Sequence, residues 1–470
     1  MYFYTLMHYP LRLTTVVLLL LFLLSCRKET FTTDSGARLW TGIDTVHFDT
    51  VFTTTGSVTK GFKIFNRNEE GIEVENIRLT GGAASPFKIN INGQPGPQVS
   101  ALQIKGGDSA YVFVTVSINP NSANLPFIVQ DSVEIAYNGN NTKVHLQAYG
   151  QNAHFLNNHT ISATEEWVAD KPYVITGALR VQQGAQLSIN KGVRVYVHAN
   201  ASFIIDGTLK VEGEKGEEDN VIFAGDRLDE PYKFHPGGWR GIQFTASSSG
   251  NSIRFAQIKN AYTALELHEP AHNNSPVLTL QQTVIDNAFE VGIMGIGSSI
   301  NSQNLVISNC GKNLVIQKGG TYNFTHCTIA AYNNSLMQHK EPLVQLSNFF
   351  EKDNTLTTKT LNAVFTNSIL WGESSGLVKD EILLLQNSSA PFSVTFNGVL
   401  WNSEVPGATI SGNSLLQDPQ FRSTEDKLYD FRLQENSPAV NKGVPTVVTL
   451  DADGAPRPVG VPDLGAYEQQ

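Results

Sequence analysis

"IDNAFEVGIM" (285–294) has two near copies in the chain, "IKNAYTALEL" (258–267) and "ISNCGKNLVI" (307–316). Each opens on Ile-x-Asn followed by Ala or Cys. The openings at Ile258, Ile285 and Ile307 are 27 and 22 residues apart, and Ile329 in "THCTIAAYNN" adds a further step of 22. Short apolar runs, Asn and Gly turns and a period of 20–30 residues are what a stacked solenoid coil requires. The segments lack the 3.6-residue period of a helical repeat and the Leu-x-x-Leu-x-Leu pattern of leucine-rich repeats. What remains is a parallel β-helix, in which each coil pairs with the next at ~4.8 Å. Asn at one corner of successive coils can bond its neighbours and tolerate left-handed turns. Cys310 then takes the place of Ala261 and Ala288 as a small buried residue.

Further pairs widen the pattern. "NSILWG" (367–372) and "NGVLWN" (397–402), and upstream "GALRV" (177–181) and "GTLKV" (207–211), each repeat at 30 residues. Before residue 153 the period is two instead. Val112, Val114, Val116 and Ile118 fall on one face, as do Val133, Ile135 and Tyr137, and Val144, Leu146 and Ala148. "FKINING" alternates up to an Asn92-Gly93 hairpin signal. Several such strands in about 110 residues fit an immunoglobulin-like sandwich without the Cys…Trp…Cys signature.

The N-terminus reads as an address. Arg12 precedes an apolar run over 16–24, too short to span a bilayer as a mature helix, and then Leu23-Leu24-Ser25-Cys26. "LLSC" resembles the lipobox of bacterial lipoproteins, which implies a lipidated Cys26, and Arg27 in place of Asp implies outer-membrane sorting. Acylation contributes ~0.8 kcal/mol per buried CH₂, and more than one chain is needed for stable anchoring. Cleavage after residue 25 removes one Arg and no acid, moving the net charge from −10 to −11. So acidic a chain is a poor partner for nucleic acid. Cys310 and Cys327 give neither metal spacing nor a disulfide framework.

Together these readings give an all-β chain: signal peptide 1–25, tether 26–42, Ig-like β-sandwich 43–152, right-handed parallel β-helix 153–415 and C-terminal capping segment 416–470. The span resembles the right-handed β-helix proteins of Gram-negative surface systems, a group that includes pectate-lyase-like enzymes. "DTVHFDTVF" and "DSAYVFVTV" resemble the Ig-like modules that precede larger domains in such lipoproteins. "PGGWRGIQF" (236–244) resembles non-enzymatic members. "LQDPQF", "YDFRLQENSPAVNKG" and "PDLGAYE" resemble the choice-of-anchor Q segment, expected to cap the last coil because an open coil end exposes strand edges.

Chemistry is harder to place. "HEPAH" (268–272) matches the zinc-peptidase motif, but Pro270 breaks the helix that would align His268 and His272. The densest polar cluster, 224–241, holds Asp226, Asp229, Glu230, Lys233, His235, Trp239 and Arg240. Catalysis there would use Asp226, Asp229, Glu230 and Arg240, as carboxylate pair or with Ca²⁺; binding would use Trp239 and His235. The opposing reading makes it a loop whose Trp239 packs on the coil. Along the repeat, Lys259 above Asp286 and Glu290 above Lys312 read as cross-strand ion pairs, not a stacked acid cluster. "DADG" offers Asp451 and Asp453 to calcium, or a turn. No cofactor is required. The expectation is a non-catalytic lipoprotein at the cell surface or periplasmic face, anchored through Cys26, that binds or presents polysaccharide or another envelope component. The alternative is a polysaccharide lyase or glycoside hydrolase.

Overall fold

The computed structural model describes residues 29–53, 56–121, 124, 126–270, 276–373, 376–403, 407–412 and 414–470. Cys26 and the lipobox lie outside them. The described chain is all-β, with two single-turn 3₁₀ segments, Gly82–Ala84 and Tyr232–Phe234. It divides into one compact unit ending at Gln151 and another beginning at Asn152.

The first unit has two five-stranded sheets. One orders Leu39–Trp40, Lys60–Asn66, Ser109–Val116, Phe87–Ile91 and Gln94–Pro95, all antiparallel. The other orders Thr45–Phe52, Asn140–Gln151, Phe127–Tyr137, Ile72–Leu79 and Gln98–Ile104, with the first pair parallel. Period-two alternation turns Val112, Val114, Val116, Val133, Ile135, Val144 and Leu146 inward, so both sheets share one core. Asn92 and Gly93 take positive φ of 46° and 89°, which closes the hairpin.

The second unit is built from long parallel sheets and is β-helix-like. Ile258 stands in register with Ile285, Ile285 with Ile307, and Ile307 with Ile329. Leu370 and then Trp401 continue the column. All six line one continuous core, and fully burying such a side chain contributes roughly 1.5–3 kcal/mol. Ala261, Ala288 and Cys310 are buried beside this column. Cys310 and Cys327 are both free, and burial raises both thiols, Cys327 to about 11.

Two corners recur as columns of left-handed residues. Asn260, Asn287 and Asn309 have φ of 58°, 58° and 50°. At the other corner stand Phe255, Gln282, Asn304, His326, Asn367 and Gly398, with φ from 44° to 66°. Asn recurs because its short polar side chain can bond locally in this conformation.

Three expectations need correction. The Trp371 and Trp401 copies do not stack: Ile369 pairs with Leu400 and Leu370 with Trp401, a step of 31. A one-residue slip exchanges faces, so Trp401 joins the interior core while Trp371 packs outside it. "GALRV" and "GTLKV" lie in different sheets, for Leu179 pairs with Phe203 whereas Leu209 pairs with Leu187. Finally, 416–470 runs along the flank of the coils and does not simply cap their end. Its backbone or side chains bond Asn304, His326, Thr328 and Asn367 from successive coils. Phe421, Phe431 and Leu464 bury the outward faces of Val306, Ala330, Ile369 and Leu400.

Candidate functional site

The 224–241 loop leaves the coil after Val221–Gly225 and returns before Ile242–Phe244. Its charges are matched pairwise, not convergently. Asp226 accepts from His198 Nδ1 at 2.7 Å, Asp229 takes a two-pronged bond from Arg227 at 2.7 and 2.9 Å, and Glu230 meets Lys233 at 2.7 Å. His235 lies beside Tyr232, with ring centres 5.3 Å apart. Arg240 is exposed, and its carbonyl accepts from Thr263 N–H. Trp239 is only 1% exposed, its indole N–H donates to the Lys259 carbonyl at 2.8 Å, and its backbone bridges to Ala261. It has no free face to offer a sugar ring.

The other motifs separate in the same way. His268 pairs with Glu266 at 2.8 Å, while Glu269 turns to Lys318 at 2.6 Å and Lys359 at 3.3 Å. Residues 268–270 are not helical, and His272 lies outside the described residues. Asp451 is buried and accepts the backbone N–H groups of Asp453, Ala455 and Glu468, as an Asx turn does. Asp453 is bound by Arg432 at 2.7 and 2.8 Å. The two carboxylates therefore face different partners. Among the described residues no three His, Cys, Asp or Glu side chains cluster as metal ligands would.

What the loop does build is a pocket of about 360 Å³. The Tyr232–Phe234 turn is held down by the asparagine column: Asn260 Nδ2 donates to the Lys233 carbonyl at 2.7 Å and Asn287 Nδ2 to the Phe234 carbonyl at 2.8 Å. Lys233 and Phe234 thus form one wall, Lys259, Asp286 and Asn309 the floor, and Lys427 and Tyr429 of the C-terminal segment the far wall. Asp286 accepts the Ser308 hydroxyl at 2.6 Å, and burial raises its carboxyl above the ordinary range despite nearby Lys259.

Next to it lies a groove of about 490 Å³ that shares Leu336 and includes Phe289 and Lys312. Phe289 and Tyr262 stand on successive coils, ring centres 5.4 Å apart, and each is 48% exposed. The loop crosses close by, for a side chain at Gly237 (φ 77°) would meet Phe289 at 3.3 Å. Glu290 and Lys312 approach to 3.9 Å, but they are one residue out of register, since Val291 pairs with both Thr263 and Lys312. The coil at 285 carries one residue more in its turn than its neighbours.

None of Asp226, Asp229, Glu230, His235, Trp239 or Arg240 lines the pocket. The aromatic pair was signalled by "NAY" and "NAF" at matching places in the repeat. Lys427 and Tyr429 carried no local signal, because they reach the pocket only through the path of the C-terminal segment.

In class, then, the described chain is all-β with long parallel, β-helix-like sheets. No protein-family model matches it and no curated protein does. Among solved structures it is similar to a family 123 glycoside hydrolase from Clostridium perfringens, at 15% identity over 27% of this chain and 26% of that one, TM-score 0.20. The chain thus spans about a quarter of that hydrolase's length. It is also similar to the catalytic unit of a GH87 alpha-1,3-glucanase from Streptomyces thermodiastaticus, at 10% identity over 75% and 88% of the two chains, TM-score 0.20. Likenesses at these scores carry no argument about activity.

Proposed function

We propose that this chain is an outer-membrane lipoprotein, anchored through Cys26, that binds polysaccharide without cleaving it. In this reading the unit from Asn152 is a right-handed parallel β-helix carrying a choice-of-anchor Q-like segment, and the unit before it is an Ig-like spacer. The observation that carries the binding role is the exposed Tyr262–Phe289 pair beside two hollows of mixed polar and apolar lining that share Leu336. Flat apolar faces next to a few oriented polar groups suit sugar rings, whose faces are apolar and whose edges carry hydroxyls. Coil spacing along the column would let an extended glycan cross more than one ring.

The test is a glycan array probed with the full chain, followed by product analysis of every ligand bound. Retention of intact oligosaccharides is the expected result. Shortened or unsaturated products would favour a lyase or hydrolase, and failure to bind any glycan would remove the reading. The anchor is tested separately: Cys26→Ala should lose acyl mass and move from membrane to soluble fractions. A wild-type protein already soluble and free of lipid would overturn it.

A further inference from the structure

In the first unit, the outer face of the sheet that holds Lys60–Asn66 and Ser109–Val116 is aromatic and cationic. Register sets Trp40 beside Phe65 and Lys63 beside Tyr111, with Phe113 over Gly61. Period-two alternation points these side chains away from the core. Trp40, Tyr111 and Phe113 are 47, 45 and 43% exposed, and aromatic surface gathered on one face marks an interaction site. Tyr111 and Phe113 stack with ring centres 5.8 Å apart, and Trp40 meets Phe65 at 5.2 Å. Arg67 lies 3.9 Å from the centre of a Trp40 ring, and Lys63 lies 4.4 Å from that of Tyr111. Lys88, exposed, stands on the same face opposite Thr115.

Charge separates the two sheets of this unit. The strands of the aromatic sheet contain no Asp or Glu. Those of its companion carry Asp49, Glu73, Glu75, Asp131 and Glu134. Glu69, Glu70 and Asp108 stand in the connecting turns at the border, and Asp108 accepts the Ser109 N–H at 2.7 Å. A chain of net charge −10 thus offers an anionic partner one attractive face. A second observation is where the chain enters the unit. Thr30 and Thr32 bond the Gly71 backbone, and Glu29 pairs with Lys105. Gly71 closes the turn that carries Arg67, so the entry adjoins the Trp40–Phe65 edge of the face. The steps from Cys26 to Glu29 reach at most about 11 Å, and the residues between are Arg27 and Lys28.

We infer that this face lies on the membrane that holds the chain, against anionic phospholipid headgroups; the inference rests on the Cys26 anchor proposed above. Trp and Tyr rings settle at headgroup level, where an apolar body and a polar tip are both accommodated. Ammonium and guanidinium groups beside them meet the lipid phosphates. A sugar fits less well, because Arg67 and Lys63 each cover a face of a ring on which it would stack. Acyl chains alone hold the protein at a single point. The sheet face adds a second contact and fixes how the first unit is oriented on the lipid surface.

The experiment sediments the mature chain, residues 26–470 with Cys26→Ala so that no acyl group contributes, with phosphatidylcholine vesicles made with and without phosphatidylglycerol. Binding to the anionic vesicles should exceed binding to the neutral ones by about tenfold or more and fall as salt rises. Lys63→Gln combined with Lys88→Gln should weaken it about tenfold with the melting temperature unchanged, and Trp40→Ala combined with Tyr111→Ala should do likewise. Absence of vesicle binding, where the wild type carries acyl mass at Cys26, would overturn the docking face and leave the anchor standing. Binding that survives both double substitutions would place the contact elsewhere and overturn the assignment. Dimerisation of the mature chain that Trp40→Ala abolishes would give the face to a second copy and overturn lipid docking. A wild type without acyl mass would remove the anchor, and this inference with it.

Discussion

The side-chain amide of Asn287 donates to the side-chain oxygen of Asn260 at 2.7 Å, from one coil to the next, and to the Phe234 carbonyl at 2.8 Å. The corner column and the loop that walls the pocket are thus one hydrogen-bonded assembly. Asn287→Ala should cost about 2–5 kcal/mol, combining two lost bonds at ~0.5–1.5 each with left-handed strain of ~1–2. Asn287→Gly removes the same bonds without the strain, so it should be the milder change. Chemical denaturation of the two variants checks the order. If Ala and Gly are equally mild, the corner is not under the constraint described.

Trp239→Ala should behave as a core truncation. With the indole 1% exposed and its N–H given to the Lys259 carbonyl, the expected loss is ~3–5 kcal/mol. Trp239→Phe should keep most of the packing and lose only about 1 kcal/mol for the hydrogen bond. Unfolding curves separate this from a binding role, in which both variants would melt like the wild type and differ only in ligand affinity.

The interior of the second unit was legible because the Ile-x-Asn signal combines a buried position with a corner that favours Asn, and two independent constraints on adjacent residues fix the register. Ile258, Ile285, Ile307 and Ile329 stack in the order read from the letters. Letter matching failed where only apolar identity was available: "NSILWG" and "NGVLWN" look alike, yet a one-residue slip in register puts Trp401 in and Trp371 out. The site was less legible than the wall. Dense charge in 224–241 suggested convergence, but neighbours in sequence satisfied one another, as Arg227 does Asp229. The pocket's far wall comes from residues almost two hundred positions away in the chain, which no local pattern encodes.

His326 should make the flank acid-sensitive. Its Nε2 accepts from the Asn367 amide at 3.2 Å and lies 3.1 Å from the Thr446 hydroxyl, and burial together with nearby Arg457 lowers its pKa from 6.5 to about 3. The fold therefore favours the neutral ring. Its contribution is complete above pH 6.5 and is lost as pH falls toward 3, each tenfold change in proton affinity being worth ~1.4 kcal/mol. Asp451 and Asp463 on the same segment are raised by burial, so their protonation on acidification works in the opposite direction. His326→Asn fits the corner, since Asn304 and Asn367 occupy it on adjoining coils at φ 53° and 49°. Melting temperature against pH should fall less steeply for that variant between pH 6.5 and 3. Parallel curves would mean that His326 does not govern the acid limb.

The last prediction separates binding from stability on the exposed rings. Tyr262 and Phe289 are each 48% exposed and touch one another at 5.4 Å between centres, so truncating either removes little buried area. Phe289→Ala should cost no more than about 1 kcal/mol in stability, the range for a half-exposed aromatic pair. If these rings carry the glycan, the same change should weaken binding at least tenfold, because a stacked sugar loses its platform while its hydroxyl partners remain. Tyr262→Ala should do likewise, and the double substitution should be less than additive, since a ligand crossing both rings loses its alignment with the first. Calorimetry on a ligand taken from the array, run beside thermal melts, reads both quantities on one preparation. Unchanged affinity in both single variants would leave the aromatic pair as an exposed packing contact and move the glycan-binding surface off this corner of the coils.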